Sequence, residues 1–249
     1  MIKTMSGTND LLVEITRCMN FNSNEGNPCT KIVQVQTEDD YQVPEPWSGD
    51  LENAPILFLS SNPSISSKEK YPRHSWPDDR IIDFFVHRFG GGIENWTKNG
   101  RYILYKDGTY SNIWVRYWGG VRRRAIELLG SDVRPGIDYV MSEVVHCKSH
   151  DEIGVRDTVQ ECSRRYLQRI VEQSCARVIV CLGGFASDAA CQIFNIPKGI
   201  NISEPIEIGN RLRYFAFLPH PNAYKPRSFA KCLEGSELEH LRSCVNSTR

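Results

Sequence analysis

The sequence predicts an α/β fold, one domain of three layers (α/β/α) around a central four-stranded, mainly parallel sheet. Three observations carry this. Four short apolar runs, residues 56–59, 139–145, 177–182 and 213–218, have strand length, and each gives way to loop residues. Apolar residues at helical spacing follow the second and third runs, which is the βαβ pattern of a parallel sheet. A chain of 249 residues suits one such domain with a sizeable core, so residues 1–249 are read as a single domain with an elaborated insertion around 65–135.

Taken in order, the first strand, Ile56 to Leu59, runs into Ser60-Ser61-Asn62-Pro63-Ser64. The stretch 65–135 is long for one crossover. It contains a helix over 79–89, a hairpin at 102–105 before Lys106-Asp107-Gly108, and a second helix over 113–129. The second strand is followed by a helix over 158–174 whose Val159, Cys162, Tyr166, Leu167, Ile170 and Val171 share one face. After the third strand, Gly183-Gly184 lacks the spacing of a nucleotide-phosphate loop and reads as close strand-to-helix packing before a helix over 186–194. Gly209-Asn210 predicts a tight hairpin into the last strand, which ends in Pro219-His220-Pro221-Asn222.

Composition narrows the classes. Lys plus Arg and Asp plus Glu number 30 each, so mean charge gives no sign of nucleic-acid binding and any such role rests on local clusters. The first 17 residues include Asp10 and Glu14, and their apolar run is too short for a secretion signal or a membrane span. A cytoplasmic protein with no membrane partner is expected. Nine cysteines, an odd number, argue against a disulfide framework and leave metal ligation or buried thiols.

The two polar loops after the first and last strands matter most. In an open parallel sheet, ligands bind at the carboxyl ends of strands, so Asn62 and His220 can face one crevice. Each loop alone also reads as a simple turn. Together they resemble the signature loops of the uracil-DNA glycosylase superfamily, a G-x-N-P-G or G-E-A-P-G type loop and a later H-P-S or H-P loop. Ser60 and Ser64 stand here for the glycines, and Asn222 for the usual small residue. The run Tyr139-Val140-Met141-Ser142-Glu143-Val144-Val145-His146-Cys147 is similar to the T-N-V-V-K-C-R-P-P strand of the iron-sulfur branch. Glu161-Cys162 to Tyr166-Leu167 is similar to its C-x-P-Y-L helix start, and Val178 to Gly183 with Ala186 to its I-V-x-L-G-x-x-A stretch. Only 65–135 and the C-terminal tail lack a counterpart.

The resemblance implies a four-iron, four-sulfur (4Fe-4S) cluster on Cys18, Cys29, Cys147 and Cys162. Ten residues separate Cys18 from Cys29, where the family has C-x-x-C, a gap that a flexible loop closes at modest entropic cost. A structural zinc would use the same thiolates. Ordinary burial is the remaining reading, and the one adopted for Cys175, Cys181, Cys191, Cys232 and Cys244.

The resemblance also assigns roles around a DNA base taken out of the stack. Asn62, whose amide is hardly basic, would fix a water at the anomeric carbon, and His220 would donate a hydrogen bond to the departing base. Ser61, Ser64 and Tyr71 are the expected base contacts, with Trp76 and Phe84 as other stacking candidates. Tyr224 or Arg227 would fill the vacated space and Lys225 touch phosphate. The clusters Arg122 to Arg124 and Arg164-Arg165 read as solvated helix faces. Glu143 falls where uracil readers of the branch carry asparagine. A carboxylate suits the exocyclic amine of cytosine, and a protonated one could donate to N3 as well, although that form could also read uracil. The expected partner is therefore DNA containing a modified or damaged base, and the expected activity monofunctional base excision. A modified cytosine is favoured, such as the glucosylated hydroxymethylcytosine of phage DNA that anti-phage members of the superfamily remove. Uracil excision in base-excision repair is the alternative, and a catalytically silent DNA-binding module the alternative of another class. No lysine matches a Schiff-base nucleophile, which argues against strand cleavage.

Overall fold

The computed structural model describes residues 7–22, 26–36, 40–224 and 227–246. Its main sheet holds six strands in the order β1-β5-β2-β6-β8-β7. These are β1 (Trp47–Ser48), β2 (Ile56–Ser60), β5 (Val140–Glu143), β6 (Val178–Leu182), β7 (Ile206–Ile208) and β8 (Arg211–Leu218), while β3 (Thr97–Lys98) and β4 (Tyr102–Ile103) form a separate hairpin. The four predicted strands are present as the parallel block β5-β2-β6-β8. The expected four-stranded sheet is nonetheless corrected to a mixed sheet of six, because β1 and β7 pair antiparallel along its two edges.

Parallel strands covered on both faces read as continuous apolar runs, and β2 and β6 are buried at every position. Their residues divide by parity. Leu57, Leu59, Ile179 and Cys181 enter one core, packed by α1 (Gly7–Thr16), α3 (Asp78–Val86), α5 (Val155–Gln173) and α6 (Gly184–Phe194). Ile56, Phe58, Val178, Val180 and Leu182 enter the other, packed by α4 (Arg116–Leu129), α7 (Phe229–Cys232) and α8 (Gly235–Asn246). Short α2 (Thr30–Val33) adds Ile32 to the first core.

The hairpin into β8 turns on Gly209 and Asn210, both at φ near +60°, as a two-residue primed turn requires. In the insertion, Lys106-Asp107-Gly108 forms the expected turn, with the Tyr105 N–H donating to the Thr109 carbonyl at 2.7 Å. A second turn, at Asn99-Gly100, joins β3 to β4. Among the described residues, no helix is long and apolar enough to cross a membrane.

Candidate active site

The strands β2, β5 and β8 end at one edge of the sheet. There they surround a cavity of about 310 Å³ that Asn62, Ser64, Glu143, His220 and Asn222 line together with Glu45, Glu69, Arg88, Tyr117, Trp118 and Lys148. A larger groove of about 940 Å³ lies beside the entry to β5, between Phe89, Arg101, Arg122 and Ile137. None of its lining side chains has a buried polar atom left unpaired, whereas the smaller cavity has several.

Backbone hydrogen bonds fix the Asn62 loop. Val144 and Val145 donate to the carbonyls of Ser60 and Ser61 at 2.9 Å each, and Ser149 donates to that of Pro63 at 3.0 Å. The Asn62 amide nitrogen donates to the Pro63 carbonyl at 3.1 Å, which leaves the amide oxygen as the acceptor. Register pairs Ser60 with Glu143, so the loop and the carboxyl begin side by side.

His220 sits on the opposite wall. The Asn222 N–H donates to its Nδ1 at 3.3 Å, which puts the proton of the neutral ring on Nε2. Burial lowers its pKa from the ordinary histidine value, so the ring is a neutral donor at pH 7. Tyr117 stacks on it, with centroids 5.7 Å apart and planes 13° from parallel. Gly183 adopts φ +92°, and a Cβ there would lie 3.2 Å from the His220 Cβ; the glycine is needed for this close approach.

The cavity floor is charged and buried. Arg88 donates to Glu45 at 2.6 Å and to Glu69 at 2.8 Å, and Lys148 Nζ lies 3.8 Å from Glu45. Burial raises the pKa of Glu45, but Arg88 and Lys148 outweigh it and hold the carboxyl below its usual range. Two cations thus balance two carboxylates, and Glu143 is left over. It is 5% exposed, and its Oε2 has no hydrogen-bond partner among the described residues. Burial first, and then the nearby charge of Glu45, raise its pKa well above the ordinary glutamate value, so Glu143 favours its protonated form. The Tyr117 hydroxyl is likewise buried without a partner in hydrogen-bonding geometry. Buried unpaired groups are costly, and two of them facing one cavity point to a ligand that satisfies them.

On the far side of β5, Cys18, Cys29, Cys147 and Cys162 line one small void with His146 and Tyr166. Donors already point at the sulfurs. The Tyr166 hydroxyl reaches Cys18 Sγ at 3.3 Å, the His146 N–H Cys162 Sγ at 3.5 Å, and the Asn20 amide Cys29 Sγ at 3.7 Å. Burial pushes the thiols of Cys29, Cys147 and Cys162 up, so thiolates here need a cationic partner. Among the described residues, no group of three or more His, Cys, Asp or Glu closes on a single metal ion. Zinc requires all four sulfurs at about 2.3 Å from one centre. A cluster instead divides its thiolates among separate irons.

Other expected residues lie elsewhere. Ser61 does not line the cavity; its hydroxyl donates to Glu152 at 3.0 Å. Tyr71, 1% exposed, is a core residue whose hydroxyl supports Glu45 at 3.2 Å, so no base can stack on it. Phe84 is core too, and Trp76 stacks under Arg80 outside the cavity. The aromatic residues that do line it are Tyr117 and Trp118. Tyr224 is fully exposed beyond the His220 loop. Arg227 instead ties that loop down, donating to the Pro221 carbonyl at 2.5 Å while its own carbonyl accepts from Arg124 at 2.6 Å. Arg124 is therefore buried and not part of a solvated face. Lys225 lies outside the described residues.

Sequence reasoning missed Glu45, Glu69, Arg88, Tyr117 and Lys148. Four of these are charged types that a sequence reading assigns to the surface, and Tyr117 blends into the apolar stripe of α4. Lys148, directly after Val144-Val145-His146-Cys147, carried the one usable signal, a charge abutting an apolar strand.

No family model matches the chain, and no curated protein matches it in sequence.

Proposed function

We propose that this protein is a DNA glycosylase of the uracil-DNA glycosylase type, acting on a modified cytosine. One observation carries the reading: Asn62 and His220, from loops distant in sequence, share a cavity with a buried Glu143 whose Oε2 has no hydrogen-bond partner among the described residues. Glycosidic cleavage develops positive charge on the sugar and negative charge on the base. The Asn62 oxygen, which accepts a 3.4 Å hydrogen bond from the Ser61 hydroxyl on one lone pair, has a second with which to hold the attacking water, and His220 Nε2–H can donate to the leaving base. A neutral Glu143 presents a hydroxyl donor and a carbonyl acceptor, which match N3 and the exocyclic amine of cytosine. The charged floor formed by Glu69, Arg88 and Lys148 suits a hydroxyl-rich substituent on that base, such as the sugar of glucosylated hydroxymethylcytosine.

Cys18, Cys29, Cys147 and Cys162 would hold a 4Fe-4S cluster. Bound there, it would tie the N-terminal segment and α5 to the strand that carries Glu143 and have a structural role. Tyr224, fully exposed beyond the His220 loop, would enter the DNA stack.

The test is base choice. A site matched to one hydrogen-bonding pattern rejects its analogue by up to about 10⁴–10⁵-fold. Single-turnover excision from matched duplexes carrying glucosylated hydroxymethylcytosine, cytosine or uracil should favour the modified base. Glu143→Asn should shift the ratio toward uracil. Robust uracil excision by the wild type with none from any cytosine derivative would overturn the substrate and leave base-excision repair as the role.

A further inference from the structure

Asn62 can orient a water but cannot take its proton, because an amide is hardly basic. The cavity offers no ready substitute. Glu45 and Glu69 are held in ion pairs with Arg88, Glu143 favours its protonated form, and His220 Nδ1 already accepts a hydrogen bond. One further carboxylate reaches the loop from outside. Glu152 Oε1 accepts the Ser61 hydroxyl at 3.0 Å, and the same hydroxyl oxygen lies 3.4 Å from Asn62 Oδ1. His220 is the group whose charge Glu152 faces.

Its position is built at a cost. Asp151 and Glu152 both adopt left-handed backbone, at φ +49° and +57°, and such conformations of non-glycine residues cost of the order of a kcal/mol and cluster at functional sites. The turn is held by the Ser149 hydroxyl, which donates to the Ile153 carbonyl at 2.7 Å, and by the Val155 N–H, which donates to the Glu152 carbonyl at 3.1 Å. The Ser149–Pro63 backbone bond then locks turn and Asn62 loop together.

We propose that Glu152 is the proton acceptor for the attacking water, reached through the Ser61 hydroxyl; the assignment rests on the glycosylase reading above. As the water oxygen bonds to the anomeric carbon, the carbon–nitrogen bond breaks and its electron pair leaves with the base. Ser61 lies outside the cavity lining, so the transfer takes place at the Asn62 amide oxygen, 3.4 Å from Ser61 Oγ: the water held there passes its proton to Ser61 Oγ while the Ser61 proton passes to Glu152. The neutral carboxyl, exposed at its turn, returns the proton to solvent.

The experiment compares wild type, Glu152→Gln, Glu152→Asp and Ser61→Ala in single-turnover base release between pH 4.5 and 9, on duplexes bearing glucosylated hydroxymethylcytosine and on matched uracil duplexes. Positioned proton transfer contributes about 10²–10⁴-fold, so Glu152→Gln should slow release by about 10² or more and abolish the fall in rate on the acid side. Glu152→Asp should keep that fall. His220 is the other titratable group facing the carboxylate, with His150 and Asp151 on the same turn. Loss of the Glu152 charge would displace a His220 titration without removing it, which separates the two sources. Ser61→Ala breaks the relay without touching the strained turn and should lose rate and acid-side dependence in the same way, even where Glu152→Gln fails to fold. A Glu152→Gln rate or pH profile equal to wild type, or a slower rate with an unchanged profile, overturns the assignment and leaves the glycosylase reading standing. A wild type that releases no base from any duplex overturns both.

Discussion

Arg88→Met tests the charged floor of the cavity. The guanidinium, 4% exposed, donates to Glu45 at 2.6 Å, to Glu69 at 2.8 Å and to the Ser48 hydroxyl at 3.1 Å. Methionine fills much of the volume but strands two buried carboxyls with only Lys148 nearby. Hydrogen bonds to charged groups are worth about 1.5–3 kcal/mol each, and removing one partner of a buried ion pair costs about 3–5 kcal/mol. The latter figure applies, because an abandoned carboxyl can take up a proton. At about 2–4 °C per kcal/mol for a chain of this size, the variant should melt about 6–20 °C lower at pH 7. The sign of the pH dependence follows from Glu45. Its pKa is lowered in the folded protein, so it stabilises the wild type above the unfolded value of about 4.3, and that contribution is lost as pH falls through the folded value. The variant lacks this contribution. The gap should therefore be widest at neutral pH and narrow on acidification through the carboxylate range. Thermal or urea denaturation followed by circular dichroism at pH 7 and pH 4 reads both quantities. A loss below about 1 kcal/mol at pH 7, or one of equal size at both pH values, would refute the buried-network argument.

Glu143→Gln should behave in the opposite way. Glu143 has a raised folded-state pKa, so its burial favours folding below the unfolded value and opposes it progressively as pH rises toward the folded value. The variant should gain stability relative to wild type between pH 5 and 8, by about 1.4 kcal/mol for each tenfold difference in proton affinity between the folded and unfolded chain; a constant offset across that range would show that Glu143 does not titrate differently on folding. For the cysteines, protein purified without oxygen should be brown and contain iron with acid-labile sulfide, and Cys147→Ser should lose both. Zinc without sulfide would replace the cluster by a mononuclear site, and neither metal in folded protein would remove the ligand set.

The parallel block was legible because strands buried on both faces are continuous apolar runs, and residues 56–59 and 177–182 could hardly be anything else. The edge strand β1 was not, since two residues carry no period. The Asn99-Gly100 turn was passed over despite its composition, because the neighbouring Lys106-Asp107-Gly108 turn took its place in the reading. At the site, Asn62, Glu143 and His220 could be found from loops at strand ends. The placement of Tyr71 failed because sequence order after a loop does not say which aromatic turns inward. Arg88 and Glu45 lie 43 positions apart, and only the packed fold shows that their charges are buried against each other.

The most direct measurement follows free base released from a duplex bearing a single glucosylated hydroxymethylcytosine, quantified by mass spectrometry alongside alkali-revealed abasic sites, for wild type, Asn62→Ala and His220→Ala. The wild type should release one base per abasic site without cutting the strand before alkali. Each substitution should slow release by about 10²–10³-fold while DNA binding persists, the size expected for loss of one preorganised contact to the developing charge. Near-normal release by both variants would contradict the assignment of the chemistry to this cavity, and no release from this duplex or from its uracil and cytosine counterparts would contradict the glycosylase account itself.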